Sequence, residues 1–326
     1  ATVKSISFSE RAIHTSEKTM EYDYAVIALG SETNFCGIPG AEKHSFQLKN
    51  LSDASALKNH FVDTFEKASQ CAKESERKKL LTFVVVGGGA TGVELAGEMS
   101  DFFYGTLCRY YPIERCRDAV RIILVHQGEE LILQFPSKLR ARAHAKLVQK
   151  KVEVCLSTKV KKIEKENIIL SDGRSIETAT PILVAGALPS RVSVDRKDSR
   201  DAHGRFIVRD TLQSIVDPRV FVVGDIATFG PGASPMPQLA QVATKEAQIA
   251  AQNIFNALNG NALKAFSYKS SGALISFGEW DAGASVGGIT FYGPLAWWLW
   301  RTVYLFKLHG LQKKLQVVVD WTFDLF

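Results

Sequence analysis

The sequence predicts an α/β protein, and three observations carry the prediction. "FVVVGGGATGVELAGEMSDF", residues 83–102, passes from an apolar strand through glycines straight into an Ala/Leu/Glu-rich helix. Two other apolar runs, "YDYAVIALGS" (22–31) and "PRVFVVGDIATF" (218–229), also reach glycine where the strand should end. Toward the C-terminus the chain turns apolar and rich in tryptophan. Buried strands that feed helices argue for parallel sheets with covered faces.

A chain of 326 residues, 46% hydrophobic and 23% charged, is large enough for two or three domains with real cores. Its net charge of +6 is not gathered in one tract. "KESERKK", Lys73–Lys79, mixes both signs and reads as a solvated helix end or linker, which argues against a nucleic-acid arm. The five cysteines, at 36, 71, 108, 116 and 155, show neither C-x-x-C nor metal-ligand spacing. Most are expected to be reduced and structural, no metal site is expected, and a redox-disulfide mechanism, which needs two thiols close together, is disfavoured. The opening reads as short strands at Val3–Phe8 and Ala12–His14, a charged turn, then a buried strand over Tyr24–Leu29. It shows no signal-peptide pattern and enters on a strand without Met, so a missing upstream segment is expected.

The glycines after Val86 have a physical purpose. A strand that turns directly into a helix leaves free N–H groups and the positive end of the helix dipole at the junction. In the spacing Gly87-x-Gly89-x-x-Gly92, with Gly88, Ala90 and Thr91 between, the first glycine allows the tight turn. The second allows a pyrophosphate to approach, and the third allows the helix to pack close to the strand. A plain glycine turn between core elements is the alternative. The second strand, "RIILVHQGEE" (121–130), carries His126 and Gln127 at its tip, with no carboxylate before Glu129. An acid there would bind a ribose 2′-hydroxyl and repel a 2′-phosphate, so NADH against NADPH stays open. His126 is either a nucleotide contact or an exposed strand-end residue.

Gly30 and the Gly224-Asp225 pair, each at a strand end, would let a second ligand come near the backbone and offer it one carboxylate; each could also be an ordinary strand terminus. Together with Gly87-x-Gly89-x-x-Gly92, the spacing of a dinucleotide-binding fingerprint, they resemble the two-dinucleotide-domain flavoproteins, in which an NAD(P)H domain is inserted within an FAD domain. In that pattern "ILVAGALPS" (182–190) is the return crossing. "MPQLAQVATKEAQIAAQNI" (236–254) is similar to the quinone-site helix of type II NADH:quinone oxidoreductases, the non-pumping alternative NADH dehydrogenases, and the C-terminal stretch resembles their membrane-binding tail. The resemblance covers essentially the whole chain. Two departures stand out: Lys245 replaces the last Gln of the family's Ala-Gln-x-Ala-x-Gln, and the N-terminal strand–glycine loop–helix for the FAD pyrophosphate is absent.

The resemblance implies two Rossmann-like domains and a C-terminal amphipathic helical segment. It divides the chain into a first part of the FAD domain (1–45), an NAD(P)H domain (46–190), a second part of the FAD domain with the quinone-site helix (191–265) and a membrane-binding segment (266–326). It places Gly87, Gly88, Gly89, Ala90, Thr91, Gly92, Glu94, His126 and Gly186 at NAD(P)H. Gly30, Gly224, Asp225, Ala240 and Gln241 fall at FAD, and Gln241 and Lys245 at quinone. Glu94, placed in the first helical turn, would lie near the nicotinamide; otherwise it is a favourable anion at a helix start. Gln241 would face flavin and quinone, or else is an inter-helix residue. Neither is an obvious acid–base catalyst; both would position.

In the tail, Phe291–Leu308 approaches the length of a span, but Arg301 near its middle is costly at a bilayer centre. Trp297, Trp298, Trp300 and Tyr304 are interfacial types, and after Gly310 the residues Leu311, Leu315, Val318 and Leu325 recur at helical spacing beside Lys313, Lys314 and Asp320. The reading is a helix pair lying on the bilayer over 291–326, with a soluble core hairpin or a homodimer contact as alternatives.

The expected activity is therefore an FAD-dependent NAD(P)H:quinone oxidoreductase without proton pumping, using NADH with NADPH also allowed. Hydride would pass to the flavin and two electrons on to a membrane quinone. It would be a peripheral membrane protein at the cytoplasmic face of a bacterial plasma membrane, or alternatively at a mitochondrial inner membrane or another organelle. The rival readings are a soluble flavin reductase of a protein acceptor and a membrane-bound nucleotide-binding protein without turnover.

Overall fold

A computed structural model of the chain describes residues 1–230, 236–270, 272–308 and 310–323. Two compact units share the sequence: 1–34 with 187–269, and 35–186 with 270–326. The breaks follow residues 34, 186 and 269, where 45, 190 and 265 were expected. The C-terminal segment, expected to stand apart, groups with 35–186, because the Ala273–Ser276 strand packs on the helix that follows the glycine loop.

In the unit formed by 1–34 and 187–269, Val3–Ser7, Ala12–Thr15 and Thr19–Glu21 make an antiparallel meander. Beside it Ala25–Ile27 pairs in parallel with Val220–Val222, in the register Val220–Ala25 and Val222–Ile27. Ile6, Ile27, Phe206, Phe221 and Val222 form the core. The helix Ala240–Leu258 turns a stripe of Val242, Glu246, Ala250 and Asn253 inward, at helical spacing. It begins at Ala240, four residues later than the quinone-type motif, whose first residues precede the helix.

The other unit is built on five parallel strands in the order Phe46–Gln47, Thr180–Leu183, Thr82–Val86, Arg121–Val125, Val152–Cys155. Strands covered on both faces read as continuous apolar runs, which is why Thr82–Val86 shows no alternation yet is buried throughout. Phe83 and Val85 meet the helices Leu51–Gln70, Ala90–Asp101 and Ser137–Gln149. Val84 and Val86 meet a three-stranded antiparallel sheet through Ile163, Ile168 and Leu170. Each large apolar side chain buried this way contributes about 1.5–3 kcal/mol. Lys73–Lys79 proves to lie mostly in a short exposed helix, Glu74–Leu80.

Most of the five cysteines are reduced, as expected: Cys36, Cys71 and Cys155 form no disulfide, while Cys108 and Cys116 pair as one. Their spacing of eight carries no signal, but the chain reverses between them and brings the Cα atoms to 5.6 Å. The pair follows the Ala90–Asp101 helix and its π-helical extension Phe102–Leu107, so the helix separates it from the glycine loop by roughly 25 Å.

From Ala273 the chain forms a three-stranded antiparallel sheet, Ala273–Ser276, Ala282–Val286 and Ile289–Gly293. The helix Pro294–Lys307 packs through Ala296 and Trp297 on Ala282 and Ala284, and a second helix, Leu311–Phe323, follows Gly310. Trp297, expected at an interface, is 5% exposed: it belongs to this small core, while Trp298 and Tyr304 are exposed. Arg301 is buried, its guanidinium 4.2 Å from the Trp297 ring and 4.1 Å from the Trp321 ring. Among the described residues no helix is long and apolar enough to cross a membrane. Leu325 and the end of the expected membrane segment lie outside the described residues.

Candidate functional site

The glycine loop is built from four different steric demands. Gly87 has φ +124°, and its amide extends the sheet by donating to the Val125 carbonyl at 2.9 Å. A Cβ there would press on the Ala185 backbone at 3.0 Å. At Gly88 it would come within 2.6 Å of the His126 ring and of Leu131, and at Gly92 it would overlap the Gly87 carbonyl oxygen. Gly89 differs: it caps the Ala90–Asp101 helix, and a Cβ there would meet nothing within 4 Å. The loop is thus closed on three sides and open at the helix start, where Ala90 and Thr91 carry first-turn amides. Gly186 follows the Thr180–Leu183 strand with φ +73°.

His126 is turned onto this loop. The Gly88 amide donates to its Nδ1 at 3.2 Å, so Nδ1 is unprotonated and the ring is neutral. Burial pushes its pKa down, which agrees. Gln127 is exposed.

Glu94 lies in the second turn of its helix, not the first, because the helix begins at Ala90. Its partner is not the helix dipole but the C-terminal sheet: Oε1 accepts the Ser276 amide at 3.0 Å. Burial pushes the carboxyl up to about 7, the Ser276 bond opposing and the nearby Glu98 reinforcing the shift. Glu98 accepts the Ser276 hydroxyl at 3.2 Å, and Asp101 pairs with Lys150 and accepts the Glu279 amide at 2.6 Å. Glu94, Glu98 and Asp101 share one helical face, and Gly97 beside them lets the 276–278 backbone lie close, since a Cβ would sit 2.6 Å from the Phe277 oxygen. Glu94 and Glu98 open on a cleft of about 770 Å³ whose far wall is Trp297, Trp300, Arg301 and Trp321.

In the 1–34/187–269 unit the two parallel strands end at the same edge. Gly30 has φ +65° and Gly224 φ +77°. The Ser31 hydroxyl donates to Asp225 Oδ2 at 2.6 Å. The Gly224 amide donates to Glu246 Oε2 at 2.6 Å. Gly224, Asp225, Ala243 and Glu246 line one small cavity. Ala240, Gln241 and Lys245 do not line it; Lys245 is exposed, with Nζ 5.8 Å from the Tyr268 ring centre. Glu246 was not singled out from the sequence, although its place one turn after Val242 and one before Ala250 marks it as facing inward.

Open carboxyl ends of parallel strands, with glycine backbone and a carboxylate, suit a dinucleotide in either unit. A family model described as pyridine nucleotide-disulphide oxidoreductase matches residues 1–247. The chain belongs to that family. Among its relatives in the family, a probable NADH dehydrogenase of Dictyostelium discoideum is 32% identical over 93% of this chain and 67% of its own length. The type II NADH:quinone oxidoreductase Ndh of Mycobacterium tuberculosis is 31% identical over 92% of this chain and 66% of its own. The chain thus spans about two thirds of these pyridine nucleotide-disulphide oxidoreductase family enzymes. The structure of NDH2 from Plasmodium falciparum in complex with NADH shares the fold with a TM-score of 0.90, at 18% identity, over 98% of this chain and 82% of that one. A sulfide:quinone oxidoreductase of Aquifex aeolicus does so at 0.72 and 19% identity, over 93% of this chain and 72% of that one. The resemblance to type II NADH:quinone oxidoreductases drawn from the motifs is borne out.

Proposed function

We propose that the chain carries the NAD(P)H- and FAD-binding parts of a type II NADH:quinone oxidoreductase that works at a membrane surface without pumping protons. The observation that carries the reading is the glycine loop, closed at Gly87, Gly88 and Gly92 and open at Gly89, where the helix begins. There the backbone binds the NAD(P)H pyrophosphate, with Gly186 passing close to the dinucleotide. Glu94 sits near the nicotinamide and positions it. Asp225 accepts a ribityl hydroxyl, and the positive-φ glycines Gly30 and Gly224 keep side chains out of the flavin's path. When bound, FAD supplies the two-electron relay between nicotinamide and quinone. Gln241 and Lys245 donate hydrogen bonds toward the quinone carbonyls.

The helix pair 294–323 lies on the bilayer. Leu295, Phe306 and Leu311 are each more than 70% exposed, an apolar surface that such a contact would bury. Anionic lipid would add a smaller electrostatic attraction for Lys307, Lys313 and Lys314. The test is spectroscopic and kinetic: with FAD supplied, the purified protein should show a bound-flavin band that NADH bleaches and a quinone restores. A colourless protein that binds NADH without turnover would overturn the reading.

A further inference from the structure

Glu246 is 2% exposed, faces inward from the Ala240–Leu258 helix, and has no part in the roles assigned above. Its place is specific. The Val220–Val222 strand makes its last ladder bond when the Val223 amide donates to the Ile27 carbonyl at 3.0 Å. The next amide, at Gly224, leaves the ladder in a left-handed turn and would be an orphan donor. Glu246 Oε2 takes it at 2.6 Å. One residue on, Asp225 is held by the Ser31 hydroxyl at 2.6 Å. The turn is therefore gripped twice, by a helix carboxylate on its backbone and by a hydroxyl on its side chain.

A buried carboxylate is expensive, and packing alone would favour an apolar residue in this stripe. Burial and the charge of Asp225 both push the Glu246 carboxyl up. Val242 and Ala250, one turn either side, show what the stripe otherwise holds.

We propose that Glu246 is a flavin-positioning residue: by holding the Gly224 amide it fixes the direction in which Asp225 presents its carboxylate to the ribityl chain. The inference rests on the reading of this unit as the FAD-binding one. Glu246 acts through Gly224 and Asp225 and need not touch the cofactor.

The test uses the whole chain carrying Glu246→Gln, Glu246→Asp and Glu246→Ala. The readouts are FAD dissociation followed by flavin fluorescence, visible circular dichroism of the bound flavin, and melting temperature. Glu246→Gln keeps an acceptor for the Gly224 amide and should hold FAD within about threefold of the parent, with the same flavin dichroism. Glu246→Asp withdraws the acceptor by one methylene, and Glu246→Ala removes it. Each should weaken FAD by about tenfold or more and change the dichroism. Should Glu246→Ala fail to fold, Glu246→Asp decides alone. A folded Glu246→Asp with parental FAD affinity and dichroism overturns the proposal, as does a fall in melting temperature only. A parent protein that binds no FAD is a separate outcome: it removes the functional reading and this inference with it.

Discussion

The Gly88 amide donates to Nδ1 of His126, so the tip of the second strand is folded back on the glycine loop. In the proposed NAD(P)H site, the strand-tip position from which an acid would reject a 2′-phosphate would be filled by a neutral ring already engaged with the protein. NADPH should therefore support turnover within about tenfold of NADH, a difference of about 1.4 kcal/mol or less. The ratio of kcat/KM values for the two cofactors checks this, and a thousandfold preference for NADH would contradict it.

The loop glycines should separate into two kinds. Gly92→Ala places a methyl against the Gly87 carbonyl and should cost about 1–3 kcal/mol of stability along with NADH binding. Gly89→Ala meets open space at a backbone angle, φ −75°, that alanine adopts freely. It should melt like the parent yet bind NADH more weakly, because in the proposed site the added methyl would face the pyrophosphate. Calorimetry and an NADH titration on both variants read the contrast. Equal melting losses would show that the open side of the loop has been misassigned.

Glu94 should leave a pH signature. Its carboxyl rises from an ordinary 4.5 to about 7 on folding. Between those values the native state holds a proton that the unfolded chain has lost, so stability falls as pH rises through this window and levels off above it. Glu94→Gln keeps an acceptor for the Ser276 amide and removes the ionisation. The variant should match the parent near pH 4.5 and gain about 1–3 kcal/mol on it by pH 8. Urea unfolding at the two pH values measures the difference, and parallel curves would show that Glu94 ionises freely.

Membrane attachment is best tested on the exposed face. Trp297 is a core residue and the Ala282–Val286 strand is paired on both sides, so changes there would test folding. Leu295→Glu with Phe306→Glu should release the protein from anionic liposomes in a flotation assay. Ferricyanide reduction should persist while reduction of a long-tailed quinone falls several-fold. An unchanged ratio of the two activities would favour a soluble reductase.

The sequence by itself determined what neighbouring residues can settle. Gly87, Gly89 and Gly92 do their work within six positions of one another, so their spacing announces both the turn and the open side. The unbroken apolar run at Phe83–Val86 likewise declares a strand covered on both faces, and the glycines ending at Gly30 and Gly224 mark strand ends wherever the strands pack. Tertiary structure alone decided which side chains answer each other across the chain. Glu94 reads locally as a helix-start anion, yet its partner is the amide of Ser276, 182 residues away, and burial in the folded chain lifts its pKa in spite of that bond. Ser31 reaches Asp225 over 194 residues, Cys108 finds Cys116 because a turn reverses, and Trp297 is buried because two alanines opposite leave it room. Local sterics are written in adjacent residues, whereas desolvation and pairing depend on which surfaces meet, and only the folded chain brings those surfaces together.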